Sequence, residues 1–143
     1  MKVEQVVPIL NVADVEASVA WFGKLGWEPG FRWRATHPGP VDFGAVVAGD
    51  LEIFLCRDGQ GGRGRGETTS TRDGAGQQAD GGVWVAIWVD DVDAVHERAV
   101  AEGLEVTHPP TDEPWNVREF HVRHPDGHVF RISHATIQRS SAA

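Results

Sequence analysis

The sequence predicts an α+β fold built from two tandem βαβββ modules. Three observations predict it: an internal repeat offset by 77 residues, the order strand, acid, helix in each copy, and three strand-like runs after each helix. Val6 to Ala17 runs parallel to Val83 to Ala94, and the helices that follow end in register, with Lys24-Leu25-Gly26-Trp27 falling on Ala101-Glu102-Gly103-Leu104.

Each element has a local reason. Asp14, and Asp90 or Asp91, stand where a short carboxylate caps the orphan N–H groups at a helix start. Val15, Val19 and Phe22 on the first helix, and Val92, Val95 and Ala99 on the second, recur at spacings of three and four, so each helix buries one stripe. Gly26 and Gly103 suit the left-handed position just past a helix end. Strand-like runs follow the first helix at residues 30–34, 43–48 and 51–56, and the second at 104–107, 117–123 and 128–133. Gly49-Asp50 and Pro125-Asp126-Gly127 supply turn chemistry between the last two strands of each module.

The chain therefore divides into a first module over 1–57, a connector over 58–82, a second module over 83–135 and a polar tail over 136–143, all within one domain. The connector carries nine glycines and no large apolar residue, too little to offset its ordering entropy, and is expected to be a flexible linker or lid. Its run Gly61 to Gly66 does not have the spacing of a phosphate-binding loop, nor is it wedged between strand and helix.

Composition narrows the function. With 143 residues, 41% of them hydrophobic, the chain can bury one core, and 21 acidic against 13 basic residues give a net charge of -8. That balance disfavours nucleic acid or an anionic membrane as partner and favours a cationic ligand. A single cysteine, Cys56, suits a reducing compartment, and the N-terminal residues are too polar for a leader peptide. Without an apolar run near the roughly 18 residues needed to span a bilayer, a cytoplasmic protein is expected. Six Trp and six Phe against no Tyr is an unusual aromatic balance, suited to a core or a stacking ligand.

The strings from Val7-Pro8-Ile9-Leu10 through Trp21-Phe22-Gly23-Lys24-Leu25-Gly26-Trp27, and from Pro114-Trp115-Asn116-Val117-Arg118-Glu119-Phe120 to Pro125-Asp126-Gly127, resemble the vicinal oxygen chelate superfamily. Within it they are similar to the glyoxalase/bleomycin resistance proteins, and the second string looks like the signature of bleomycin-resistance-type members. The resemblance implies paired modules whose mixed sheets curl around a cleft, and a homodimer. It also implies four metal-ligand positions, one on the first and one on the last strand of each module.

Those four positions fall here on Val7, Glu52, Trp84 and Arg131. Val and Trp offer no suitable lone pair and Arg carries a fixed positive charge, so one carboxylate remains and no metal cofactor is expected. The alternative is a divalent metal ion on displaced ligands such as His121, His128 or Glu119, in a glyoxalase- or dioxygenase-type enzyme. The simpler reading of His121, His124, His128 and His134 is exposed or capping side chains on a hairpin, and His96 is expected to face solvent. No catalytic residue is assigned. Cys56 reads as a small buried hydrophobe, and Asp90-Asp91 and Asp112-Glu113 as caps and solvated loop.

The cleft then becomes a binding surface. If Trp84 faces it, period-two alternation puts Ala86 and Trp88 there too, although core packing would also suit Trp88. Trp33, Phe43, Glu52, Phe54, Trp115 and Arg131 complete the candidate ligand-binding set. Arg131 is expected either to pair with Glu52 across the pseudo-twofold axis or to bind an anionic ligand group. Trp21 and Trp27 are assigned to packing. The function this predicts is sequestration of an aromatic, cationic small molecule of the bleomycin kind.

Overall fold

The computed structural model describes residues 1–64 and 81–137. The first module comprises β1 (Ile9–Val12), α1 (Val15–Lys24), β2 (Glu28–Trp33), β3 (Phe43–Ala48) and β4 (Leu51–Arg57). The second comprises β5 (Trp84–Trp88), α2 (Val92–Ala101), β6 (Glu105–Glu113), β7 (Val117–Arg123) and β8 (Val129–Ala135). The strands form two four-stranded mixed sheets of the same order, β1-β4-β3-β2 and β5-β8-β7-β6. In each, the first strand lies parallel to the last and the remaining pairs are antiparallel. The repeat in the sequence is thus a repeat in topology, and the curled sheets do not close into a barrel.

The caps act as their chemistry requires. The Ala17 N–H donates to Asp14 Oδ1 at 3.0 Å and the Ala94 N–H to Asp91 Oδ1 at 3.2 Å, so of the two adjacent acids it is Asp91 that caps α2. Gly26 and Gly103 exit the helices at φ of 100° and 72°, where a side chain would be strained.

One core serves both modules. Val15, Val19, Trp21 and Phe22 of α1 and Val92 and Ala99 of α2 are buried with Leu10, Val12, Ile53 and Leu55 of the first sheet and Phe120, Val122, Phe130 and Ile132 of the second. Each fully buried Phe or Leu here contributes roughly 1.5–3 kcal/mol. The modules interlock through rings, with Trp21 and Phe22 meeting Phe130 at centroid distances of 5.6 and 5.4 Å.

Two histidines complete that interlock: of the exposed or capping roles expected they take the capping one, and neither is exposed. His124 and His128 are both fully buried. The Asp126 N–H donates to His124 Nδ1 at 2.9 Å, which leaves Nε2 to carry the proton and meet Ser18 Oγ at 3.0 Å. By the same logic the Val83 N–H donates to His128 Nδ1 at 3.0 Å, and His128 Nε2–H donates to the Asn11 carbonyl at 2.8 Å. Each imidazole thus bridges the modules or their junction as a neutral donor and acceptor. His134 does cap, accepting from the Val92 N–H at 2.8 Å at the start of α2. His96 is half-buried and meets the Phe120 ring at 5.3 Å, not solvent alone.

The last strand boundaries depart from expectation at one place above all. β6 extends to Glu113 through Pro109 and Pro110, with register shifts on either side of His108. It is an edge strand, where a missing N–H can face away from the ladder and prolines are tolerated. The connector begins as ordered chain: Asn11 Nδ2 donates to the carbonyls of Gly59 and Gly61, both at 2.9 Å, and the Gly64 N–H donates to the Asp126 carbonyl at 2.7 Å. Residues 65–80 of the expected flexible linker, and the tail beyond Ile137, lie outside the described residues.

Candidate functional site

Each sheet has one face in the core and one face turned away from it. Residues opposite each other in a ladder share a face, so the registers sort the side chains directly. On the first sheet Trp33 is opposite Phe43, Phe43 opposite Cys56, and Val47 opposite Glu52, which puts Trp33, Phe43, Glu52 and Phe54 together on the open face. Phe43 and Phe54 pack at 5.3 Å, and Phe31 joins them at 5.2 and 5.7 Å. Phe31 is not among the residues expected from the sequence, although its spacing of two from Trp33 places it on that face. Cys56 is half-buried on this same face, not within the core.

On the second sheet the open face carries Trp84, Ala86 and Trp88 of β5, with Val85 and Ile87 turned to the core. Ala86 is opposite Arg131, Arg131 opposite His121, and His121 opposite His108, forming one row across four strands. The indole of Trp84 meets the His121 ring edge-on at 5.4 Å, and the His121 and His108 rings lie 4.7 Å apart. Trp33, Trp84, Trp88 and Trp115 are 50–61% exposed, whereas Trp21 is buried. Trp115 stands apart from both faces, in the turn between β6 and β7.

Arg131 does not pair with Glu52. Its Nε and Nη2 donate to the two carboxylate oxygens of Glu119, each at 3.0 Å, and Ser133 Oγ adds a third bond to Glu119 at 3.3 Å. The reason is topological: Glu119 and Arg131 lie on adjacent antiparallel strands, offset by two residues in a register set by the tight turn at Gly127. A bidentate pair of this kind is strong because two parallel charge-assisted bonds fix the guanidinium on a carboxylate that is itself buried. Glu52 accepts instead from Gln5 Nε2 at 3.3 Å. Glu52 and Trp88 both line a largely apolar cleft of about 450 Å³ between the sheets, together with Leu51, Ile53 and Trp27. Trp27, assigned to packing, thus contributes to a cleft as well.

The residues at the family's metal positions do not fit a divalent cation. Glu52 is the one carboxylate, and Arg131 holds its positive charge in place through Glu119. Among the described residues no three His, Cys, Asp or Glu side chains gather in a geometry that would hold an ion. Of the alternative ligands, His128 has both ring nitrogens committed to backbone groups and Glu119 is engaged by Arg131. His121 remains on the open face, with Nε2 buried and without a hydrogen-bond partner. Burial, followed by the neighbouring His108, holds its imidazole below the ordinary histidine range, so it is neutral at pH 7.

Paired βαβββ modules with curled sheets and an aromatic open face define the class of this protein. The chain belongs to the Glyoxalase/Bleomycin resistance protein/Dioxygenase superfamily, whose family model matches residues 2–132. Among solved structures it is similar to TioX from Micromonospora sp. ML1, with a TM-score of 0.70 and 26% identity over 92% of this chain and 98% of that one. It is also similar to the bleomycin-binding protein of bleomycin-producing Streptomyces verticillus complexed with copper(II)-bleomycin, at a TM-score of 0.59 and 28% identity over 92% and 96% of the chains. A bleomycin-binding protein complexed with bleomycin shares the fold at 17% identity and a TM-score of 0.63, over 92% and 98% of the chains. No curated protein sequence matches the chain. No helix among the described residues is long and apolar enough to cross a membrane.

Proposed function

We propose that this protein binds a flat aromatic, cationic small molecule of the bleomycin kind and sequesters it, without a metal cofactor and without chemistry, as a homodimer in the cytoplasm. The observation that carries this reading is the substitution of a metal-binding floor by an indole and an ion pair: Trp84 stands half-exposed at one ligand position and Arg131 is tied to Glu119 at another. An indole face can stack on a heteroaromatic ring and attract a cation by about 0.5 to 2 kcal/mol, depending on desolvation. The net charge of -8 steers a cationic ligand toward the protein at low salt. The family and its bleomycin-binding members support the same ligand class.

Dimerisation is supported by the faces themselves. Ile9, Phe31 and Trp33 on one sheet and Trp84 and Trp88 on the other are large apolar side chains left exposed in a single chain. A second copy laid against them would narrow each open face into a walled cleft. The test is a titration with metal-free bleomycin and with its copper complex, read by tryptophan fluorescence, alongside light scattering of the free protein. Saturable quenching at micromolar ligand and a mass of about twice 15.6 kDa are expected. No quenching at high micromolar bleomycin would remove this antibiotic as ligand, and a 15.6 kDa species would remove the dimer.

A further inference from the structure

The open face of the second sheet contains a polar group that stacking alone does not use. Arg131 lies in the middle of that face, opposite Ala86 on one side and His121 on the other. Its side chain is 39% exposed even though it is held from one side by a nearly buried carboxylate. A guanidinium has five N–H donors. Two of them go to Glu119, leaving three that point away from that carboxylate. Beside it, Ala86 is the small residue between Trp84 and Trp88 and is itself exposed, so a flat ring can rest on the strand next to Arg131 with an indole to either side.

We infer that Arg131 is the hydrogen-bonding anchor of this face, donating to a neutral carbonyl oxygen on a flat aromatic ring that lies over Ala86 between Trp84 and Trp88, with Glu119 as the positioning residue. Three considerations select a neutral acceptor. The charge of Arg131 is already balanced by Glu119 through two bonds of 3.0 Å, so the free N–H groups offer directed hydrogen bonds without a net positive field. The other carboxylate near the row, Glu113, meets His108 at 3.0 Å and adds negative charge, which disfavours an anionic ligand group. An aromatic amide or ketone, in contrast, supplies the planar ring for the indoles and the acceptor for Arg131 at no electrostatic cost. Glu119 fixes the guanidinium plane, and Ser133 fixes Glu119 in turn.

This inference rests on the reading of the face as a ligand site, and the experiment separates the two. Indole, indole-5-carboxamide and indole-5-carboxylate are titrated into 15N-labelled protein, and affinities are read from the shifts of the tryptophan side-chain N–H signals. The carboxamide is expected to bind about tenfold more tightly than indole, the effect of about 1.4 kcal/mol for one good hydrogen bond to a charged donor, and more tightly than the carboxylate. In Glu119→Gln the guanidinium loses its counter-charge, and the carboxylate is expected to overtake the carboxamide. In the double variant Arg131→Met/Glu119→Gln, which removes both ions and leaves no buried charge, indole and its carboxamide should bind alike. Equal affinity for indole and carboxamide in the unaltered protein, or a preference that survives the double variant, overturns the anchor while leaving the aromatic site standing. If none of the three probes shifts a tryptophan signal, the aromatic site itself is wrong and the anchor falls with it.

Discussion

Acidification should loosen the seam between the modules through one residue, His124. Its imidazole is 1% exposed, accepts from the Asp126 N–H through Nδ1, and faces Ser18 through Nε2, so a second ring proton would displace an existing donor. Burial is the main cause that pushes it down to about 4 from 6.5, with His128 acting in the same direction and Asp126, 3.9 Å away, opposing. Between those values the unfolded chain binds a proton that the fold refuses. Stability from this group is therefore complete above about pH 6.5, falls as the pH drops toward 4, and levels off below that. At 1.36 kcal/mol per pH unit, the full loss is about 3 kcal/mol, of which about 2 kcal/mol appears between pH 7.5 and pH 5. Urea unfolding followed by tryptophan fluorescence at several pH values measures it, with His124→Gln as the reference because glutamine remains polar and does not titrate. The variant should be less stable at pH 7.5 but should lose about 2 kcal/mol less on going to pH 5. Parallel curves for the two proteins, or an NMR titration of folded His124 centred near 6.5, would refute the reasoning.

Two further substitutions probe the frame and the face. Arg98 donates through Nε to the Lys24 carbonyl at 2.8 Å and through Nη2 to the Gly23 carbonyl at 3.3 Å, covering the C-terminal end of α1 from the second module. Arg98→Ala should cost about 1 kcal/mol in chemical denaturation, within the usual range for exposed hydrogen bonds at a helix terminus, and an unchanged midpoint would show that water replaces them fully. Trp84→Ala removes an indole that is mostly solvent-exposed, so stability should change by no more than about 0.5 kcal/mol. Affinity for bleomycin should fall about fivefold, matching about 1 kcal/mol of stacking and cation attraction. A loss of stability without a loss of affinity would return Trp84 to a packing role.

Much of the architecture is legible in the sequence because it is written in local chemistry. The Asp14 cap, the glycines at 26 and 103 and the turn ending at Gly127 all act within a few residues of themselves, and each occurs where expected, as does the same local order of elements in both copies of the repeat. What could not be read depends on partners distant in the chain. Nothing near His124 or His128 indicates burial; their partners are Ser18 and Asn11, more than 100 residues away. Pro109-Pro110 reads as loop until β6 is known to be an edge. A pair between Arg131 and Glu52 requires the floors of the two modules to meet, and Arg131 turns instead to Glu119 within its own sheet. The nearer acid on the neighbouring strand was reachable from the sequence, since the turn before β8 sets Glu119 two residues off from Arg131 in register. The open aromatic faces followed from alternation along the strands, and Phe31 would have joined them by the same rule.

The central claim is binding without metal, and calorimetry on chelator-treated protein tests it most directly. Metal-free bleomycin titrated into protein stripped with EDTA should release saturable heat with micromolar or tighter affinity, and the recovered ligand should be chemically unaltered. No saturable heat with the stripped protein would contradict the account, and a ligand recovered in altered form once Zn, Ni, Fe or Mn is added back would make this protein a metal-dependent enzyme of its superfamily.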